Sequence, residues 1–273
     1  VFRPSLARLH LLAYPRQSMP TNSDTIRRYE EVRERVVEAA AKGGTDPERV
    51  ILVAVTKNAS ISQVRELIEH GHVDFGESRM QHFIQFEAQV ADFLERHREL
   101  GGRGGTMPEE VRWHFIGHLQ RNKVRKIHSL TTLIHSVDSL RLAEEIQNCP
   151  GREEGKKTQV LIQVNTAGDR GKHGIAPPAT SHLIDQIADL PDIRVRGLMC
   201  MAPNLEDPEA LRPIFVRTRE LFKEIADSGA AGNQFNILSM GMSGDYELAL
   251  ECGANVVRIG SAIFGTSSEE SGE

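Results

Sequence analysis

The chain has 273 residues, a net charge of -5, 39% hydrophobic residues and 26% charged residues. This composition is typical of a globular protein that can bury a full core, and it excludes a disordered chain and a nucleic-acid binder recognised by bulk charge. No apolar run approaches the roughly 18 residues that span a bilayer. The three cysteines lack the spacing of a disulfide framework or a zinc site, so we expect a protein of the reducing cytoplasm. The acidic net charge and the lack of a spanning run further predict that it binds neither nucleic acid nor membrane.

The two ends of the chain differ from the rest. Residues 1–22 carry arginines and leucines but no acid, and Met19 stands directly before Pro20. We expect 1–22 to be a disordered extension that has no role in the fold, 23–266 to be the folded domain, and 267–273 to be a tail.

Hydrophobic periodicity predicts helices that alternate with strands along the whole chain. Helical spacing is found at 23–42, 60–70, 80–100, around 123–126, from 138 or 139 onward, at 181–190 and at 208–228. A glycine-rich segment at 101–105 is typical of an exposed loop. Eight short apolar strands are predicted at 50–56, 73–76, 113–117, 133–137, 160–165, 195–200, 237–240 and 256–260.

Eight strands separated by helices favour a single α/β domain, a (β/α)8 TIM barrel, because eight units close without leaving a free sheet edge. In such a barrel the active face lies at the carboxyl ends of the strands. Polar residues at those ends are therefore the candidates for function. They are Lys57, Glu77, His114, His118, Asn165, Ser239, Ser243, Arg258 and Ser261.

Lys57 ends a strand that is apolar on both faces, from Val50 to Val55. Most lysines at strand ends are simply solvated, and position alone favours that reading. Small-residue turns follow the last two predicted strands, where barrel enzymes often bind phosphate through backbone N–H groups. These residues also suit ordinary turns. The residues that would hold a phosphate are Gly241, Ser243, Gly260 and Ser261.

Two other kinds of site fail on spacing. A serine-hydrolase elbow at Ser243 lacks its second glycine, because Asp245 occupies that place. His114 and His118 are four residues apart, but no third ligand is spaced to complete a metal site, so we expect no metal.

A lysine and a phosphate cradle at one barrel mouth suggest a phosphorylated aldehyde held as a Schiff base, which is the arrangement that pyridoxal 5′-phosphate (PLP) needs. Arg258, placed against the pyridine nitrogen, would leave the ring a weak electron sink and would favour holding the cofactor over demanding catalysis. A Schiff-base aldolase acting on a sugar phosphate would use the same lysine and cradle without a cofactor.

Four segments resemble the YggS/PROSC family of PLP homeostasis proteins, and the match runs from about Ile26 to Gly265. The segments are VAVTK at 53–57, WHFIG with LQ and NK at 113–123, SMGMS at 239–243 and RIGSAIFG at 258–265. The resemblance implies a fold-type III PLP-binding barrel without the C-terminal β domain of alanine racemases.

By this resemblance Lys57 forms the Schiff base, Arg258 faces the pyridine nitrogen, and the glycines and serines of the cradle hold the phosphate. Glu77, His114, Asn165 and Ser239 are further barrel-mouth candidates for cofactor binding. The implied function is intracellular PLP (vitamin B6) homeostasis and amino-acid balance without robust catalysis. The expected protein is a monomer whose partners are PLP and, transiently, apo PLP-dependent enzymes. The alternative is a fold-type III PLP-dependent amino-acid racemase.

The chain departs from the family pattern at two places near the expected cofactor. Ser78, Arg79 and His82 stand in the segment where the family has F-G-E-N-Y-x-Q-E, and His118 and Arg121 replace small or proline residues after WHFIG. We expect altered surroundings for the ring while the lysine and the cradle remain. The segment 172–174 follows the fifth strand where the family often has Lys-x-Gly, and we expect a mobile surface loop there.

Overall fold

The structure, a computed structural model, describes residues 23–99, 107–149, 155–169, 171, 173–205 and 207–266. The expectations for 1–22, 101–105, 172 and 267–273 lie outside the described residues. The strands are β1 Ile51–Val55, β2 Asp74–Glu77, β3 Arg112–Phe115, β4 Leu133–Val137, β5 Thr158–Val164, β6 Ile193–Cys200, β7 Ile237–Ser239 and β8 Val256–Ile259. The helices are α1 Asp24–Lys42, α2 Ile61–Glu69, α3 Met80–Glu99, α4 Val124–Ile127, α5 Leu140–Gln147, α6 Thr180–Ala188, α7 Arg212–Ser228, α8 Tyr246–Glu251 and α9 Ser261–Phe264.

The eight strands are parallel and close into one barrel in the order β1 to β8. The expected (β/α)8 barrel is therefore confirmed. The seam is the pairing of β1 with β8, in which Val53 lies opposite Arg258. None of the described helices is long and apolar enough to cross a membrane.

Alternation along the strands divides the buried residues into two cores. Residues that face outward pack against the helices and form the larger core around the barrel. A smaller apolar cluster fills the barrel interior, so the barrel is a packed core and not a pore. Its members are Ile51, Val53, Leu133, Leu161, Met199, Ile237 and Val256.

A chain of hydrogen bonds crosses the interior beside this apolar cluster. Asp74 accepts from both Arg112 Nε at 2.7 Å and Arg112 Nη2 at 2.5 Å, and its Oδ1 lies 3.0 Å from His114 Nε2. His114 Nδ1 is 3.0 Å from His135 Nε2, and His135 Nδ1 is 3.1 Å from Ser239 Oγ. Each of these inward-facing polar groups except Arg112 is buried, so the chain satisfies groups that water does not reach.

Burial keeps two histidines uncharged at neutral pH: His135, within this chain, and His72, beside it. Burial lowers the pKa of His72 to about 4 and the pKa of His135 well below its ordinary value. His72 Nε2 lies 2.8 Å from the carbonyl oxygen of Asp74, which can only accept, so Nε2 carries the proton and Nδ1 accepts from Tyr29 Oη. Hydrogen bonds from His114 and Arg112 overcome burial and lower the pKa of Asp74.

We expect acid to destabilise the fold, with His72 as a measurable contributor. The unfolded chain protonates this imidazole below about pH 6.5, whereas the folded chain resists protonation down to about pH 4. Stability from this group is therefore present at pH 7 and is lost as the pH falls from about 6.5 to 4, by about 1.4 kcal/mol per pH unit. His135 and Asp74 act in the same direction.

Chemical denaturation at pH 5 and pH 7 measures this effect. His72→Gln should reduce the slope of the unfolding free energy against pH by the equivalent of about one proton taken up on unfolding. The exposed control His182→Gln should keep the wild-type slope. Equal wild-type stability at the two pH values would contradict the prediction.

Candidate functional site

A cavity of about 570 Å³ opens at the carboxyl ends of the strands, which is within the roughly 300–1,000 Å³ typical of small-molecule sites. His118, a strand-end candidate, lines it, as do five of the residues expected to bind the cofactor. They are Lys57, Ser243, Arg258, Gly260 and Ser261.

Lys57 lies in a short 3-10 turn, Thr56–Asn58, directly after β1, and its side chain is exposed at the cavity. The buried Thr56 Oγ1 donates to Glu77 Oε2 at 3.0 Å, which ties the start of the turn to β2. On the other side, α2 begins with a capping box between Ser60 and Gln63, and Gln63 Nε2 donates to the carbonyl oxygen of Phe264 in α9. The backbone that carries the amine is thus fixed from both directions.

Arg258 points into the cavity from β8 and is only 4% exposed. Its Nη1 donates to Ser239 Oγ at 2.6 Å and its Nη2 donates to the carbonyl oxygen of Cys200 at 2.9 Å. Both acceptors are neutral, and burial lowers the pKa of the guanidinium to about 10, although nearby Cys200 and Asp245 oppose this. Arg258 is therefore a desolvated cation at neutral pH, oriented by Ser239 at the end of the interior hydrogen-bonded chain.

The turns after β7 and β8 meet through Ser243. Its Oγ accepts from the backbone N–H of Gly260 at 3.2 Å and of Ala262 at 3.3 Å. A Cβ at Gly260 would lie 3.2 Å from the carbonyl oxygen of Val55, so a side chain there would crowd β1. Because the hydroxyl accepts from both amides, its own proton stays available to donate to an anion.

Gly241 shapes the cavity without lining it. Its φ of +95° is in the region that favours glycine, and a Cβ would lie 2.8 Å from both Ala249 and Tyr246. The turn is completed by Asp245, whose Oδ1 accepts from the N–H of Met242 at 2.5 Å. Burial raises the pKa of this carboxyl, which itself lines the cavity.

Four other expected residues do not line the cavity, and their direct contact with a cofactor stays a prediction. Glu77 is buried behind the wall, where it accepts from the N–H groups of Ser78 and Arg79 as well as from Thr56. His114 and Ser239 belong to the interior chain. Asn165 Nδ2 donates to the carbonyl oxygen of Asp169 and orders the loop after β5.

Sequence reasoning missed several side chains that shape the site. Gln163 at the end of β5 and Met201 after β6 line the cavity, and His135 continues the hydrogen-bonded chain toward Arg258. The inward alternation of β4 and β5 was the available signal, since His135 and Gln163 stand among buried apolar neighbours.

His118 and His173 line the rim of the cavity, and both precede the two cradle turns in the chain. Their rings stack with centroids 3.7 Å apart and an interplanar angle of 9°. Partial burial, together with the neighbouring His173, lowers the pKa of His118. The pair comes from the loops after β3 and β5, and its two side chains are exposed.

Comparison with known proteins places this architecture in a family. Residues 31–268 match the family described as alanine racemase, N-terminal domain. A pyridoxal phosphate homeostasis protein of Aquifex aeolicus is 35% identical over 242 residues, covering 87% of this chain and 96% of the relative. The protein of that name in Escherichia coli K12 is 35% identical over 240 residues, covering 86% and 93%.

Solved structures agree with these relatives. PipY of Synechococcus elongatus, solved with PLP bound, superposes with a TM-score of 0.70 at 31% identity, covering 86% of this chain and all of that one. Alanine racemase of Corynebacterium glutamicum shares the fold, with a TM-score of 0.55 at 15% identity over 89% of this chain and 63% of the racemase. The chain belongs to the alanine racemase N-terminal domain family and, within it, to the pyridoxal phosphate homeostasis proteins.

Proposed function

We propose that this protein binds PLP in the Lys57 cavity and serves intracellular PLP (vitamin B6) homeostasis and amino-acid balance by holding the cofactor, without robust turnover of a substrate. The observation that carries the proposal is the convergence of three groups on one cavity. These are an amine at Lys57, a buried cation at Arg258, and an amide cradle at Ser243 and Gly260. Each suits a different part of a phosphorylated pyridine aldehyde.

The phosphate end fits the two turns after β7 and β8. The N–H groups of Gly260 and Ala262 already converge on one acceptor, the hydroxyl of Ser243. Ser261 adds a second hydroxyl at the cavity wall. A dianionic phosphate accepts several such hydrogen bonds, and each is stronger than a neutral one.

The ring end fits Arg258. When bound, PLP supplies an electron sink that depends on protonation of its ring nitrogen. Arg258 keeps its own proton at neutral pH and can only donate, so it orients the ring nitrogen as an acceptor and leaves it unprotonated. This side chain therefore favours retention of the cofactor over strong carbanion chemistry.

The aldehyde end fits Lys57, whose amine would tether the cofactor covalently. Val55 and Ile116 supply apolar walls beside it. The contacts of Thr56 and Gln63 hold the backbone of Lys57 at the cavity, which lowers the entropic cost of bringing its amine to a bound aldehyde.

The setting of the proposed function is the reducing cytoplasm, with the protein acting as a monomer that exchanges PLP with apo enzymes. Cys149, Cys200 and Cys252 are all buried, and buried thiols of this kind suit a compartment where cysteines stay reduced. Size-exclusion chromatography with light scattering reports the oligomeric state.

Covalent loading tests the tether. After incubation with PLP, borohydride treatment and removal of free ligand, intact mass should show one added cofactor on the wild type and none on Lys57→Ala. The control Lys126→Ala removes an exposed amine that does not line the cavity and should load as the wild type does. Equal loading of Lys57→Ala would contradict the assignment.

Ser243→Ala tests the phosphate cradle, because it removes one hydroxyl that bonds two backbone amides. We expect the affinity for PLP to fall about 10- to 100-fold, in line with the roughly 1.5–3 kcal/mol of a hydrogen bond to a charged group. Affinity for pyridoxal, which lacks the phosphate, should change little.

Equilibrium dialysis of both ligands against wild type, Ser243→Ala, and the double variant with Ser261→Ala makes the comparison. Ser228→Ala removes a remote hydroxyl and serves as the control. An unchanged PLP affinity in the double variant, or an equal loss for pyridoxal, would place the phosphate elsewhere.

Racemase activity is the competing function, because the fold is shared with alanine racemases. Incubation of the PLP-loaded protein with a panel of L-amino acids, followed by chiral chromatography, measures it. We expect no D-isomer above the level given by Lys57→Ala. Rapid D-isomer formation that disappears in Lys57→Ala would make the protein a racemase, while its covalent loading would still identify the cofactor.

A further inference from the structure

Three potential metal ligands meet beside the cavity, and two of them, His118 and His173, line it. The ligand atoms of His118, Asp138 and His173 all lie within 4.8 Å of one another. They come from the loops that follow three successive strands, β3, β4 and β5. Because each loop belongs to a different strand, the cluster is produced by the barrel and not by local sequence, and spacing alone could not reveal it.

The backbone at two of these positions is held in place. Gly117, directly before His118, packs so closely on Ser78 that a Cβ would lie 2.2 Å from its carbonyl oxygen. The carbonyl oxygen of His173 accepts from Gln163 Nε2 at 3.3 Å. Gly174 then turns with φ of +118° against Asn165. The imidazoles thus project from anchored loops.

Two imidazoles and one carboxylate are a set of nitrogen and oxygen donors that Zn²⁺ and neighbouring divalent transition ions prefer. We propose that His118, Asp138 and His173 bind one divalent transition-metal ion at the rim of the cavity. Three protein ligands leave at least one coordination position to water. This proposal concerns side chains outside the cradle and does not depend on the proposed function.

Coordination requires a small rearrangement of the stacked pair. Parallel rings direct their in-plane lone pairs side by side, so each imidazole turns about its χ2 bond to face a common ion. Both side chains are exposed and have room to turn. Asp138 is half-buried and immediately follows β4, so the carboxylate is the more restricted of the three ligands.

Zinc titration of the untagged full-length chain, dialysed first against a chelator, tests the site by calorimetry. The wild type should bind one Zn²⁺ at this site. His118→Ala and His173→Ala should each weaken that binding by at least about 10-fold, since loss of even an outer-shell partner costs 10–100-fold. Asp138→Asn should weaken it as well.

His182→Ala is the matched control, because it removes an exposed histidine on α6 that does not line the cavity. It should bind Zn²⁺ as the wild type does. Visible d–d absorption of added Co²⁺ gives a second readout, which His173→Ala should abolish. Wild-type affinity in both histidine variants, or absence of Zn²⁺ and Co²⁺ binding by the wild type, overturns the proposal. Unchanged circular dichroism shows that each variant is folded.

Discussion

The site depends on the closure of the barrel between β1 and β8. This pairing sets Val53 opposite Arg258 and Ala54 opposite Ile259, and so unites the first and last strands of the chain. It brings Lys57, at the end of β1, to the same cavity as Gly260 and Ser261, about 200 residues later. Without closure, the amine and the cradle would lie at opposite edges of an open sheet, and neither would have the other as a partner.

Among the residues that the structure describes, no acid forms a salt bridge with the buried guanidinium of Arg258, so its surroundings must replace its hydration in another way. Removing a cation from water costs several kcal/mol unless hydrogen bonds replace the lost hydration. Arg258 makes two such bonds, donating to Ser239 Oγ and to the Cys200 carbonyl oxygen. Donation can run in one direction from Arg258 through Ser239, His135 and His114 to Asp74, since each of these two histidines turns one ring nitrogen toward each of its neighbours. The carboxylate at the far end complements the cation, so one polar chain fixes the guanidinium across the interior.

Sequence patterns could predict the strands and the barrel because buried parallel strands are short, apolar and bounded by turns. They could also place Lys57 and the cradle, since strand ends in a closed barrel share one mouth. Side-chain direction was harder to predict: Glu77 ends its strand as expected yet turns behind the wall toward Thr56. The His118 and His173 pair needs two loops to approach in space, which no spacing rule describes, and the histidine at 135 was hidden within an apolar strand.

The burial of the residues that line the cavity changes from its floor to its rim. Its floor is formed by Arg258 and Gln163, which are nearly inaccessible and locked by hydrogen bonds. Its rim includes Met201 and Leu205, which are 43% and 46% exposed although both are large and apolar. Rigid, desolvated contacts at the floor strengthen binding, because they lose little entropy when a ligand arrives. Exposed rim groups can move without disturbing the barrel, so the exchange rate can change through the rim while affinity stays set by the floor. The proposed function, in which the protein binds PLP and exchanges it with apo enzymes, would need those two quantities to be separable.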